Sequence, residues 1–349
     1  MLKVVELFGG IGAFTKALER LKISHKIEDY VEIDKYAVMS YNVIHRYNFK
    51  PQDITKYNKR LDVDIIMHGS PCQDFSIMGK EAGAGFNMQT RSSLMYRTLD
   101  IVENNSPKVV IWENVKNLLS KNHISNFNNY IYIMNNLGYN SYYKVLNAKD
   151  YGIPQNRERV FVISIRKDID KGFSFPKPIN LDVKLKDLLE DDSKIDEKYY
   201  LSDKSILGRK NSKFKQYNLY KSLIDNKDIH PTILSGYDRS PTLKKITTNY
   251  IEWEEKGKLD IDCRAFKEET ISGTICTRAG VNKVLSKEMI RKLTPLEITR
   301  LMGFDDIDYY KMSQVNSNTQ IYKQLGNSIV VNVLEHIILE LKKRGYLDE

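Results

Sequence analysis

Val4-Val5-Glu6-Leu7-Phe8-Gly9-Gly10-Ile11-Gly12, residues 4–12, is an apolar run that breaks into three glycines and then enters an amphipathic stretch. Read as a strand, a tight turn and a helix start, it places backbone amides where a ligand can approach closely and lean on the helix N-terminus. The spacing departs from the dinucleotide fingerprint, because Thr15 stands where a third glycine is expected. Pyrophosphate is therefore disfavoured, and a smaller adenosine-bearing ligand fits better. Glu32 follows ~20 residues on, at the end of a second apolar run, where a carboxylate can accept hydrogen bonds from ribose hydroxyls. Asp53-Ile54 ends the next short segment and is a candidate for an adenine edge, with a turn cap as the alternative reading of Asp53.

Working outward, the first 165 residues alternate short apolar runs with amphipathic stretches, the pattern of βα units around a parallel sheet. Strands are expected at Val4 to Phe8, Tyr30 to Ile33, Ile65 to Met67, Val109 to Trp112 and Val160 to Ile165. Helices are expected at Phe14 to Leu21, Tyr36 to Arg46 and Leu94 to Asn104. Phe175-Pro176-Lys177-Pro178 breaks this rhythm, so a domain boundary is placed there. Residues 1–178 form the first unit, 179–294 an irregular second one, and 295–349 a C-terminal segment that returns to the first through a final helix over Ile329 to Leu341.

At 349 residues and 41% hydrophobic content the chain can bury a sizeable core. Its net charge of +9 favours a polyanionic partner. Between Lys204 and Lys221 lie six basic residues and no acidic one, interleaved with Phe214, Tyr217 and Tyr220. That mixture can track a phosphate backbone, although a solvated lysine-rich loop reads the same way. Cys72, Cys263 and Cys276 make no disulfide framework and no zinc spacing, so a reducing, cytoplasmic setting without metal is expected. No signal h-region opens the chain, and no run approaches the ~18 apolar residues that span a membrane.

Two further constellations fall at expected strand ends, where open α/β sheets bind their ligands. Ser70-Pro71-Cys72-Gln73 follows Gly69 and the apolar run Val63 to Met67. Pro71 restricts the backbone and presents Cys72 as a nucleophile, while a small buried cysteine is the competing reading. Glu113-Asn114-Val115 follows Val109 to Trp112. Burial beside that strand raises a carboxyl pKa and suits Glu113 to proton donation. Gln155-Asn156-Arg157-Glu158-Arg159 alternates ahead of the last strand, which would turn Gln155, Arg157 and Arg159 to one face.

Taken together these motifs resemble the DNA cytosine-5 methyltransferase family, in its small bacterial or phage restriction-modification form. Phe8-Gly9-Gly10-Ile11-Gly12, Pro71-Cys72-Gln73, Glu113-Asn114-Val115, Gln155/Arg157/Arg159, Arg300-Leu301-Met302-Gly303-Phe304 and Gln324-Leu325-Gly326-Asn327-Ser328 occur in the family's order. The resemblance covers roughly residues 1–178 and 290–341 and leaves the middle without specific matches. It implies a Rossmann-like α/β fold of the S-adenosylmethionine-dependent type, with a smaller, irregular target-recognition domain. It implies Cys72, Glu113, Arg157 and Arg159 as catalytic residues. It implies a cofactor pocket for S-adenosyl-L-methionine made by Phe8, Gly10, Ile11, Gly12, Glu32, Ile33, Asp53, Ile54, Gly69, Pro71, Leu94, Asn327 and Ser328.

The implied substrate is double-stranded DNA, with the target cytosine flipped out and methylated on carbon 5 through a covalent Cys72 adduct. Gln73 and Ser76 would meet it, and Phe75 to Arg91, with Gly79, Gly83 and Gly85, suits a closing lid. Arg264 and Thr274-Ile275 resemble endings of the family's target-recognition region, with Thr242-Leu243 and Thr270-Ile271 as competing placements. Arg239, Arg264 and Arg278 are available to read guanine. A monomer is expected, with a cognate restriction endonuclease as a candidate partner. A transfer-RNA cytosine-5 methyltransferase would carry the same six motifs. A catalytically silent nucleic-acid-binding module and a nicotinamide-dependent oxidoreductase are disfavoured by the intact Cys72 and Glu113 and by the broken glycine spacing, respectively.

Overall fold

The computed structural model describes residues 1–70, 94–200 and 291–347, and in addition the backbone of short strands between 250 and 290. Six strands make the central sheet: β1 (Leu2–Leu7), β2 (His25–Val31), β3 (Ile65–His68), β4 (Val109–Val115), β5 (Tyr139–Asn147) and β6 (Glu158–Arg166). Their order is β2-β1-β3-β4-β6-β5. The strands β1 to β4 pair in parallel, whereas β6 is antiparallel to both β4 and β5. The all-parallel sheet expected from the sequence is corrected at this one strand. A buried apolar run such as Val160 to Ile165 reads identically in either direction, so its pattern carries no polarity.

Each sheet face is covered by helices, because the strands bury side chains on both sides. On one side, α3 (Leu94–Asn105) and α4 (Ile124–Asn136) pack Met95, Leu99, Phe127 and Tyr130 on Val5, Ile66, Val110 and Trp112. On the other, α1 (Ala13–Arg20) and α2 (Lys35–His45) lie with α5 (Pro295–Leu301), α6 (Asp306–Val315), α7 (Asn318–Asn327) and α8 (Val331–Lys343) over Val4, Ile65, Ile111 and Ile163. Each such fully buried side chain contributes about 1.5–3 kcal/mol of apolar transfer. The C-terminal segment thus completes the layer begun by α1 and α2, and α1 packs directly on α8. Lys16 on α1 reaches Asp305 at 2.6 Å and Asp308 at 2.7 Å, pinning the two chain ends together.

Packing continues past the expected boundary at residue 178. Ile179 donates its amide to the Asp150 carbonyl at 2.9 Å, and Leu185 is fully buried in the first core. Farther along, the Arg300 guanidinium donates to Leu188 O at 3.0 Å. Arg291, itself fully buried, donates to Glu297 through Nη1 at 2.9 Å and Nη2 at 2.7 Å, and through Nε to Asp192 at 3.2 Å. Residues 179–200 are therefore a strap bound to 291–301. A second sheet orders the strands Met289–Lys292, Lys283–Ser286, Ala265–Lys267 and Tyr250–Ile251 side by side. Among the described residues no helix is long and apolar enough to cross a membrane, and no cluster of His, Cys, Asp or Glu is arranged to hold a metal ion.

Candidate active site

The carboxyl ends of β1, β2, β3 and β4 lie together because these strands are parallel neighbours in register. At the end of β1 the chain turns sharply. Phe8 adopts φ +54°, and its amide donates to Val31 O at 2.7 Å, tying the turn to β2. Gly12 caps α1 at φ +79°, and a Cβ there would stand 2.5 Å from His45 Nε2 and 2.6 Å from the Tyr41 ring. Gly10, at φ +55°, differs: a Cβ would meet nothing within 4 Å, so its outer side is open.

Glu32 reaches this open loop. Its Oε2 accepts from the Gly10 amide at 3.2 Å and its Oε1 from the Asp34 amide at 2.9 Å. Burial pushes the Glu32 carboxyl above the usual range, against the backbone amides that favour its charge. Next to it Ile33 is 70% exposed, a large apolar side chain with no protein cover, while Glu32 faces the loop. An open glycine turn, a half-buried carboxylate and a bare apolar side chain together have the chemistry to hold a ligand that carries hydroxyls and a flat ring. Asp53 instead spends its Oδ1 on the Thr55 amide at 2.9 Å and the Thr55 hydroxyl at 2.8 Å, the turn-capping role. Ile54 and Ile11 are buried in the two cores, so their side chains face the protein interior. Leu94 is partly buried at the start of α3.

At the ends of β3 and β4 stands an acid–cation pair. Glu113, 9% exposed, meets Arg159 through Oε1 and Nε at 3.1 Å. A Cβ on Gly69 would lie 3.7 Å from Glu113 Oε2, so the carboxylate flanks the chain just before Ser70. Burial raises the Glu113 carboxyl pKa, and Arg159 first, then Arg157, opposes that rise. Ser70 is held in turn from β4: its Oγ accepts from Trp112 Nε1 at 3.1 Å and from Asn114 Nδ2 at 3.3 Å. The strand end that leads to Pro71 and Cys72 is thereby fixed. Pro71, Cys72, Gln73, Ser76, the Phe75 to Arg91 segment, Arg264, Thr274 and the basic stretch from Lys204 to Lys221 lie outside the described residues.

The three residues expected to share a face do not. Gln155 donates to Leu301 O at 2.7 Å, and Arg157 Nη2 to Gly326 O at 3.0 Å and Ser328 O at 2.8 Å. Only Arg159 turns to Glu113. The reason is local: Gln155 N bonds Ile153 O and Arg157 N bonds Gln155 O, so residues 153–157 are tightly turned and β6 begins only at Glu158. Alternation applies to extended chain alone. Arg157 therefore anchors the turn after α7, leaving Asn327 exposed there and Ser328 buried beside it. Sequence reading missed Tyr30, His45 and Trp112 as supports of these loops, although Tyr41 and His45 sit four residues apart on the α2 face that meets the glycine turn.

The family described as C-5 cytosine-specific DNA methylase matches residues 2–343. A type II methyltransferase of Lactococcus lactis subsp. cremoris, M2.ScrFI, is 33% identical, with 98% of this chain and 99% of that protein covered. The type II methyltransferase M.HhaI of Haemophilus parahaemolyticus is 35% identical over 96% of this chain and 93% of its own length. In fold, the crystal structure of the S. pombe Dnmt2 methyltransferase superimposes with a TM-score of 0.68, covering 99% of this chain and 100% of that one at 20% identity. The chain belongs to the C-5 cytosine-specific DNA methylase family.

Proposed function

We propose that the protein binds S-adenosyl-L-methionine at the Gly10–Glu32–Ile33 corner and methylates carbon 5 of a cytosine flipped out of double-stranded DNA. The observation that carries this reading is the Glu113–Arg159 pair beside Gly69, three residues ahead of Cys72 in the chain. Cytosine carbon 5 is a weak nucleophile. The Cys72 thiolate adds to carbon 6 while Glu113 gives a proton to ring nitrogen 3, and the electron pair of the 5,6 double bond becomes available at carbon 5. The cofactor would supply an electrophilic methyl group on a sulfonium sulfur, whose S–C bond breaks with its electron pair staying on sulfur, so that S-adenosyl-L-homocysteine leaves as a neutral thioether. With carbon 5 methylated, a base removes its remaining ring proton, the 5,6 double bond reforms, and the thiolate and the nitrogen 3 proton depart.

The chain's own residues serve this sequence at stated atoms. A free thiol has a pKa of ~8.5 and is mostly protonated at neutral pH, so the cation at Arg159 favours the thiolate as well as orienting Glu113. Extruding the base costs a few kcal/mol, which contacts from Gln73, Ser76 and the segment to Arg91 would offset. Asn327 and Ser328 close the cofactor side from α7. Target recognition belongs to the stretch between the 179–200 strap and Met289–Lys292, where Arg264 and Thr274 stand. The charge of +9 accords with a polyanionic substrate. A monomer in the cytoplasm, with or without a cognate restriction endonuclease, completes the proposal.

Transfer of radiolabelled methyl groups to duplex DNA and, separately, to transfer RNA tests it, with Cys72→Ser as the control and bisulfite sequencing of the product. Label at one recurrent short DNA site, lost in Cys72→Ser, is expected. Label in transfer RNA alone would replace the DNA reading with its RNA counterpart.

A further inference from the structure

The glycine turn is held by side chains from outside it, and one of them has no place in the mechanism above. Tyr30 OH donates to Gly10 O at 2.5 Å from β2, and the Glu32 carboxylate takes the Gly10 amide. The third tie comes from the last residue of α2: His45 Nε2 lies 3.1 Å from Ile11 O, and Nδ1 lies 2.9 Å from Glu19 Oε1 on α1. A carbonyl oxygen has no proton to give, so Nε2 donates to it. Burial pushes the Glu19 carboxyl up, and its hydrogen bond with His45 brings it below the usual range. The imidazole side chain is completely buried and its ring packs 4.7 Å from that of Tyr41. It reaches Ile11 O only because residue 12 has no Cβ, which would fall 2.5 Å from Nε2.

We infer that His45 is a positioning residue for cofactor binding, whose ring fixes the Ile11 carbonyl and so holds the Gly10 amide and Glu32 in the geometry that receives the cofactor's ribose. The inference rests on the reading of this corner as the S-adenosylmethionine site. Uncoupled from His45, the Gly10–Gly12 turn keeps its fold through Tyr30 and the Gly12–Lys16 backbone bond but samples conformations that bind less well.

The test compares wild type, His45→Leu and His45→Gln in calorimetric binding of S-adenosylmethionine and in steady-state methylation of duplex DNA, with thermal melts as a check on folding. His45→Leu should raise Kd and KM for the cofactor about tenfold, while kcat and KM for DNA stay within about twofold. His45→Gln, whose Nε2 can still donate to Ile11 O, should stay within about threefold of wild type in every parameter. Unchanged cofactor binding in His45→Leu overturns the inference, as does a loss in His45→Gln as large as in His45→Leu, or a fall in kcat without a rise in KM. If His45→Leu does not fold, His45→Gln decides alone: a folded His45→Gln that binds more than about tenfold weaker overturns the inference, and one within about threefold supports it. A wild-type protein that binds no cofactor sinks the underlying site assignment; cofactor binding by wild type that His45→Leu leaves intact sinks only the role of His45.

Discussion

Glu113 and Arg159 meet at 3.1 Å although they are not partners in the sheet: Glu113 sits opposite Phe161, and Arg159 opposite Val115. They are diagonal neighbours on one face of an antiparallel pair, a spacing that only long side chains span. The contact exists because β6 runs against β4, which brings the start of one strand to the end of the other. The carboxylate therefore sits between two influences of opposite sign, burial that favours its protonated form and a guanidinium that favours its ionised form.

That balance predicts the pH behaviour of two variants. A proton donor must be protonated, so activity should fall on the alkaline side as Glu113 ionises. Arg159→Ala removes the cation that lowers the Glu113 pKa, and the alkaline limb of kcat/KM should move to higher pH. The absolute rate should drop as well, since Arg159 also orients the acid. Glu113→Gln should keep DNA and cofactor binding and lose about 10²–10⁴ in kcat. An alkaline limb that stays put in Arg159→Ala would separate Glu113 from the titrating group.

Gly10 and Gly12 should respond differently to the same added methyl group. Gly12→Ala places a Cβ inside contact distance of His45 and Tyr41 at a left-handed φ, and should destabilise the protein by about 3 kcal/mol or more. Gly10→Ala meets open space and carries only the cost of a positive φ, about 1–2 kcal/mol. It should fold, with its methyl group standing where the cofactor is expected. Thermal melts paired with cofactor binding will read this out: a folded Gly10→Ala that binds S-adenosylmethionine normally would move the pocket elsewhere.

Much of this site was legible before any coordinates, and the limits have physical causes. The runs at β1, β3, β4 and β6 are apolar on both faces and read as buried strands. The strand β5 escaped notice because it lies at the sheet edge, where Tyr143 is 54% exposed and the burial pattern does not alternate. Glu32 and Glu113 were singled out because strand ends are where side chains leave the core. Gln155 and Arg157 were placed on the face of Arg159 because period-2 reasoning assumes extended chain, and the turn bonds at 153–157 break that assumption. The ties of His45 and Tyr30 to the glycine turn could not be read, since the carbonyls they meet are brought close only by the tertiary fold.

Arg157 should behave as a brace for the cofactor side. Its Nη2 serves two carbonyls, Gly326 and Ser328, and charged hydrogen bonds of this kind are worth about 1.5–3 kcal/mol each. Arg157→Ala should lower the melting temperature and raise KM for S-adenosylmethionine more than it lowers kcat. Arg157→Lys keeps the charge on a single ammonium without the planar fork, and should recover only part of the stability. A variant whose kcat collapses while its stability and cofactor KM hold would return Arg157 to the chemical step.

His68 gives the last prediction, one of stability rather than rate. It is completely buried at the end of β3, stacked on Trp112 at 5.7 Å with its Nε2 3.1 Å from Tyr130 OH, and burial drives its pKa down to about 3. The folded value lies below the ordinary histidine value, so the unfolded chain takes up a proton first. The neutral ring therefore contributes stability that is complete above pH ~6.5 and is lost as pH falls toward the folded pKa. By pH 4 the loss should reach roughly 3 kcal/mol from this residue alone. His68→Gln, which stays neutral throughout, should be less stable than wild type at pH 7 for want of the ring packing, yet lose less on acidification. Denaturant unfolding at pH 7, 5.5 and 4 measures the difference: the gap between the two proteins should narrow with each step down in pH, and parallel declines would mean that His68 is protonated in the folded state by a route that the buried strand end does not provide.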